Sequence, residues 1–237
     1  LERKKETIKM SFISSGADAM PTLYCIGEIE EIVPTKLSES EKYFVTRFNI
    51  KPLAAAKYGA KVWLTWHPDF LKTGYNALNE ESGRKRVYDS NIFRDPKRFT
   101  ATSSSFDKDQ KVGIATLHGL CGSDDMFVKI GNALHEAYNS TADVDDLPAA
   151  VDAVLADLVG VTVGYCLKQQ WSKSGVKNEK GYDVMVRGRY YETAGMFYPT
   201  KENFEAITKS VEAAKAKNPS IQCYICFDDS APFNAPF

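Results

Sequence analysis

The chain has 237 residues, of which 43% are hydrophobic and 12% aromatic, and this apolar content excludes a disordered chain. Its formal net charge of -1 excludes a uniformly basic protein, so an anionic partner must be met by a local patch. No apolar run is long enough to span a membrane and no secretory signal is visible, so we predict no membrane partner.

The sequence pattern in the first half of the chain predicts a polar N-terminal arm followed by three strands. Residues 1–20 are rich in Ser and Lys and predict an N-terminal arm. Between Thr73 and Phe106 the chain is charged and irregular, which predicts a long loop. Three segments before that loop alternate between apolar and polar residues, as half-buried strands do, and they span residues 23–33, 42–50 and 61–66.

The second half predicts helices, a hairpin, a further helix and a last strand. Ser123 followed by two acids is a helix-start signal, and a second helix is expected from Leu147 to Leu158. Alternating segments at 161–171 and 181–192 predict a hairpin with an exposed tip. The remaining predicted elements are a helix over residues 201–217, a strand over residues 221–227 and a short acidic tail over residues 228–237.

This order of elements lacks the regular strand–helix alternation of a doubly wound sheet. We therefore predict a mainly β fold with inserted helices, of the α+β class, built on a five-stranded barrel of the oligonucleotide-binding (OB) type. A β-sandwich is the structural alternative. Residues 21–227 would form a single domain with a helical insertion at about residues 123–158.

The cysteines predict neither a disulfide framework nor a metal site. Their number, five, is odd and their spacing is scattered, which favours a reducing, cytoplasmic setting, inside a host cell if the protein is viral. Cys223 and Cys226 have the spacing of half a zinc site. The flanking apolar residues favour a buried strand instead, and no second Cys or His pair lies nearby in the sequence. We predict no metal and no cofactor.

Motifs of known enzyme classes are missing from the sequence. It contains no nucleophile elbow, no P-loop and no dinucleotide-binding glycine pattern. None of the three histidines lies at ligand spacing from a second histidine or a carboxylate in the sequence. The dense acids at Asp124 to Asp125 and at Asp143 to Asp146 are typical of helix starts rather than of a calcium loop. The sequence therefore predicts a protein that is not an enzyme.

Charge is divided unevenly along the chain. Residues 84–99 hold six basic residues, and residues 160–198 hold six more together with seven aromatic residues. Residues 124–157 instead hold eight acids and one base. Cations and rings that share a hairpin suit single-stranded nucleic acid, because cations hold phosphates and rings stack on bases.

We predict two sets of residues that contact single-stranded nucleic acid. The rings that would stack on bases are Trp63, Trp171, Tyr182, Tyr190 and Tyr191. The cations that would contact phosphates are Arg84, Arg86, Arg98, Lys168, Lys173, Lys177, Arg187 and Arg189. Gly188, between two of these arginines, would let a nucleic-acid strand approach the backbone closely.

Two segments carry a resemblance to known families. The stretch Leu158-Val-Gly160-Val-Thr-Val opens a hairpin that ends in Arg187-Gly-Arg189-Tyr190-Tyr191, and this arrangement after a helical insertion resembles the phage-type single-stranded DNA-binding proteins with an OB barrel. The chain end, with Asp228, Asp229, Pro236 and Phe237, resembles the acidic tip of bacterial single-strand-binding proteins. That resemblance implies that the tail recruits replication or recombination proteins.

The sequence thus favours a bacteriophage single-stranded DNA-binding protein that serves DNA replication or recombination and has little sequence preference. Two alternatives stay open. A viral structural or assembly protein would form stable higher assemblies without DNA. A metal-dependent nucleotide-processing enzyme would use the arginines between Arg84 and Arg98 for phosphates and Asp124 or Asp125 for a metal.

Overall fold

A computed structural model describes residues 22–37, 43–53, 58–66, 76–79, 84–87 and 108–227. The N-terminal arm over residues 1–20 and the tail over residues 228–237 lie outside these described residues.

Five antiparallel strands form a nearly closed barrel. Strands β1 (Thr22–Leu37), β2 (Phe44–Pro52) and β3 (Ala60–Trp66) form a meander, and β6 (Thr162–Lys177) and β7 (Asp183–Phe197) form a hairpin. The order across the sheet is β3-β2-β1-β6-β7, and β6 pairs with β1. The Thr193 hydroxyl donates to the Lys61 carbonyl at 3.0 Å, which brings β7 against β3. The predicted OB-like α+β barrel is confirmed.

Strand β1 is long because it forms hydrogen-bonded ladders with two other strands, β6 and β2. Its first half pairs with β6 from Thr22 to Glu28, and its second half pairs with β2 from Gly27 to Leu37. Gly27 lies at the crossover, where a Cβ would lie 2.5 Å from the Lys51 carbonyl oxygen. Irregular register on either side of Ile32 lets the strand bend between the ladders. The curvature that closes the barrel therefore starts in β1.

Three helices between β3 and β6 close one part of the barrel core. They are α1 (Lys108–Cys121), α2 (Asp124–Ser140) and α3 (Leu147–Leu155), and a 3-10 turn (Ala156–Leu158) follows α3. Ser123 caps α2 by accepting from the Met126 amide at 3.2 Å, as its sequence predicts. Helix α1 was not predicted, so the helical segment begins at Lys108 rather than near residue 123. No helix among the described residues is long and apolar enough to cross a bilayer.

A second small core covers the outer side of β1 and β6. Helix α4 (Lys201–Lys217) matches the predicted helix and packs Phe204 against Phe227, with ring centroids 4.3 Å apart. Strand β8 (Cys223–Ile225) pairs parallel to β1 and is shorter than the predicted strand over residues 221–227. This packing leaves the outer side of β2 and β3 free of α4 in the described residues.

Two predicted loops contain strands. Residues 172–177 continue β6 instead of forming a loop, because they pair with β7. A separate hairpin of β4 (Asn76–Asn79) and β5 (Arg84–Val87) lies inside the predicted long loop. Both segments are polar, and their strand geometry comes from cross-strand pairing that a single segment does not reveal.

Candidate nucleic-acid interface

The outer face of β2 and β3 presents an exposed ring between two cations. Alternation along β3 buries Val62 and Leu64 in the core and turns Lys61 and Trp63 outward. Trp63 is 55% exposed, and the register places it directly opposite Arg47 on β2. We call this surface the β2–β3 face and define it by Arg47, Asn49, Lys61, Trp63 and Thr65.

The cations of the β2–β3 face are not neutralised within the described part of the chain. Arg47 and Lys61 form no ion pair with any described residue, whereas Lys51, farther along β2, pairs with Glu28 at 2.9 Å. On β1, Glu31 lies opposite Asn49 and accepts a hydrogen bond from the Asn49 side-chain amide. Lys61 is exposed, whereas Arg47 is half-buried and its Nε is buried without a hydrogen-bond partner among the described residues. The face therefore places two positive side chains, without an ion pair in the described ranges, beside an exposed indole, where they could meet an anionic partner.

Sequence reasoning predicted Trp63 but missed Arg47 and Lys61. Both occur in segments whose alternation gave them a polar face. The missing information was the β2–β3 register, which aligns Arg47 with Trp63 and Asn49 with Lys61. The register is the alignment of two neighbouring strands along their length. The hydrophobic pattern of one strand predicts which of its faces is buried, but it does not distinguish registers that differ by two residues.

The β6–β7 hairpin extends beyond the barrel as a two-stranded ribbon, which we call the arm and define as residues 169–191. The β1 ladder ends where Thr22 pairs with Lys168, and β6 and β7 then pair only with each other among the described residues. Asn178 builds the turn, accepting from the Lys180 and Tyr182 amides at 3.0 Å each.

Three predicted contact residues are exposed on this arm. Tyr182, at the tip, is 68% exposed, and Lys173 and Lys177 are exposed along β6. Lys173 forms a salt bridge with Asp183 at 2.7 Å, so its charge is partly neutralised. Lys177 lies opposite Asp183 in the ladder. The arm therefore offers a ring and cations to solvent, with less free charge than the sequence alone suggests.

The structure describes the backbone position of the other predicted arm residues. Trp171 pairs with Arg187 and Gln169 pairs with Tyr191, and Arg189 and Tyr190 lie in the irregular stretch between these pairs. Arg84 and Arg86 lie on β5, opposite Asn79 and Ala77. The other predicted residues, Arg98, Asp228, Asp229, Pro236 and Phe237, lie outside the described residues.

Lys168 is not part of the β2–β3 face. It lies on β6 between Thr22 and Glu192, near the thiols of Cys166 and Cys223 that pack beneath α4. Burial raises the pKa of Cys166 to about 12, and the positive charge of Lys168 opposes that rise. The structure therefore places Lys168 beside the second core, away from Trp63.

The cysteines are all free and buried. Cys25 and Cys226 contact each other in the barrel core, and their hydrogen bond, together with burial, raises the pKa of Cys25. Among the described residues, no group of three His, Cys, Asp or Glu side chains could hold a metal ion.

His118 joins three elements next to the core, and the sequence did not predict its carboxylate neighbour. The ring stacks on Tyr198 at 4.3 Å and meets the edge of Phe127 at 4.9 Å. Its Nε2 lies 3.2 Å from Asp124 Oδ1 at the start of α2. Burial lowers the pKa of His118, while the Asp124 carboxylate acts in the opposite direction.

This environment predicts an acid-sensitive contribution to stability. The pKa of His118 is lower in the folded chain than its ordinary value of about 6.5, so the unfolded chain binds the proton first. The contribution is complete above pH ~6.5 and declines as the pH falls below that value. We expect His118→Phe to lose part of this pH dependence, as measured by urea unfolding between pH 8 and pH 5. An identical pH dependence in both proteins would contradict the assignment.

Comparison with known proteins gives no match: no family model fits the chain, and neither a curated protein nor a solved structure is significantly similar to it.

Proposed function

We propose that this protein binds single-stranded DNA, in the replication or recombination of a bacteriophage. The observation that carries the proposal is the exposed Trp63, set opposite Arg47 and beside Lys61 on the outer face of an OB-like barrel. In OB folds the outer surface of the second and third strands, with the loops that flank it, is the surface that binds oligonucleotides.

The β2–β3 face supplies both interactions that a flexible single strand needs. A base would stack on the Trp63 indole, and the neighbouring phosphates would contact Arg47 and Lys61. Stacking accepts every base because each has a π-face, so this mode of binding has little sequence preference. A base pair in duplex DNA does not expose that face, which favours single strands.

The arm would extend the binding path beyond the barrel. Lys173, Lys177 and Tyr182 are exposed there, and the hairpin carries the other predicted rings and cations in the same ribbon. In this proposal, Trp171, Tyr190 and Tyr191 contribute stacking, and Arg187 and Arg189 contribute phosphate contacts. The basic β5 residues would add to the path, and the tail would bind replication or recombination proteins.

Salt-dependent titration of a fluorescently labelled oligo-dT tests this function. When a protein binds a single strand, the logarithm of its affinity falls linearly with the logarithm of the salt concentration. Each phosphate contact contributes about -0.7 to the slope of that line. We expect Arg47→Ala and Lys61→Ala each to make the slope shallower by about 0.7. The control is Lys129→Ala, which removes an exposed lysine that is paired with Asp157 on the helical segment.

The same titration can contradict the proposal. Binding that is undetectable at low salt would exclude the function. Binding with a slope that neither β2–β3 variant changes would show that DNA lies elsewhere on the protein.

A further inference from the structure

The arm has two long backbone edges that pair with no other described strand. An isolated two-stranded ribbon is marginally stable in water, and an open edge is a template for a further strand. At its tip, Val176 is 62% exposed and Tyr182 is 68% exposed. The arm therefore has the geometry to accept another strand, and the sequence of each edge decides which strand fits.

The β6 edge is unsuited to pairing with itself. In an antiparallel pair of two copies centred on Gly175, Lys173 of one copy would lie opposite Lys177 of the other, and like charges placed opposite each other are destabilising. Gly175 also has a φ of +80°, and the β6–β7 register shifts between Lys173 and Lys177, so the strand is irregular there. Lysines and irregular geometry are features that prevent edge-to-edge association.

The β7 edge has the opposite character. An antiparallel pair of two copies centred on Met185 places Val184 of each copy opposite Val186 of the other. The next pair outward on each side is Asp183 with Arg187 of the second copy, which places opposite charges directly across the ladder. Asp183 also forms a salt bridge with Lys173 of its own arm at 2.7 Å, so it would share its carboxylate between the two cations. An apolar centre bounded by two complementary charge pairs favours this single register over shifted ones.

We propose that β7 pairs antiparallel with β7 of a second copy about a two-fold axis at Met185, so that two arms form one four-stranded sheet. This pairing goes beyond DNA binding and does not depend on it, and in the paired state Arg187 contacts Asp183 of the second copy rather than a phosphate. Pairing through β7 would join two barrels, each with its own β2–β3 face. Two linked faces would hold one DNA strand more tightly than either face alone, because the second contact becomes intramolecular.

A charge swap tests the register. Sedimentation velocity without nucleic acid is expected to show a concentration-dependent dimer of the wild-type chain. Asp183→Arg or Arg187→Asp alone places like charges across both outer pairs and should weaken the dimer by about tenfold or more. The double variant, Asp183→Arg with Arg187→Asp, restores opposite charges and should recover dimerisation. A loss in the double variant as large as in the singles would overturn the proposed register.

A cross-link tests the position of the axis independently. Cα atoms of directly opposed residues in antiparallel strands are about 4.5–5.5 Å apart, a separation that a disulfide can bridge. We expect Met185→Cys to form a covalent dimer with oxidised glutathione, which accepts the two electrons and is released as two thiols. Val176→Cys, at an exposed position on the β6 edge, is the matched control and should not cross-link. A monomer at all concentrations, without a Met185→Cys cross-link, would refute the interface whether or not the protein binds DNA.

Discussion

Replacement of Trp63 by alanine is expected to weaken binding of a single-stranded oligonucleotide by about 1–3 kcal/mol, or roughly 5- to 150-fold. The expected loss is large because the indole is the exposed ring of the β2–β3 face and its charged neighbour Arg47 lies directly opposite. A base stacked there gains contact with the ring and with the guanidinium beside it. The measurement is the Kd for oligo-dT at fixed low salt.

Two further variants separate stacking from general effects. Trp63→Phe keeps an aromatic ring and should retain most of the affinity. Thr65→Ala changes the next outward position on β3 without removing a ring, and should bind as the wild type does. Trp63 is exposed, so its loss should change the free energy of unfolding by no more than about 0.5 kcal/mol. Equal affinities of wild type and Trp63→Ala would refute stacking at this position.

Replacement of Phe48 by alanine is expected to destabilise the fold by about 3–5 kcal/mol. Phe48 is fully buried on the inner side of β2, and the register places it between Ile32 on β1 and Val62 on β3. Its removal takes apolar contacts from the barrel core and leaves a cavity that neighbouring strands can fill only in part. The same strand carries Arg47 on its other side, so the core supports the proposed binding face.

Urea unfolding measures this loss as a lower midpoint at an unchanged slope. Phe48→Leu keeps most of the buried volume and should cost less than the alanine variant. Lys51→Ala removes an exposed residue of the same strand and should cost much less than Phe48→Ala, because its ion pair with Glu28 is partly exposed and is weakened by solvent. A Phe48→Ala protein as stable as the Lys51→Ala protein would show that β2 is not a central core strand.

The sequence predicted the barrel where each strand carried its own signal. Phe44, Phe48 and Ile50 alternate with polar residues along β2, and all three are buried as the alternation predicts. Ser123 caps α2, and Gly160 follows the last helical turn, as expected from their capping and stop chemistry. These features are local, so a single segment reveals them.

The missed elements depend on distant contacts. Helix α1 contains Gly113 and Gly119, which are poor helix formers, yet Gly119 is needed because a Cβ there would lie 2.1 Å from the Met196 Cβ on β7. The extension of β6 is polar and follows from its pairing with β7. In the candidate site, the sequence listed Trp63 and Lys168 in one set of contact residues, whereas the sheet order separates them, with Trp63 on β3 and Lys168 on β6 beside α4. Tertiary packing decided each of these outcomes.

Fluorescence of Trp63 during oligonucleotide titration tests the central claim most directly. The other two tryptophans, Trp66 and Trp171, are replaced by phenylalanine, so that the signal reports only the β2–β3 face. We predict saturable quenching of Trp63 by oligo-dT at low salt, reversed by added salt, because a stacked base contacts the indole and phosphate contacts weaken in salt. Oligonucleotide binding that leaves Trp63 fluorescence unchanged would contradict a binding site on this face.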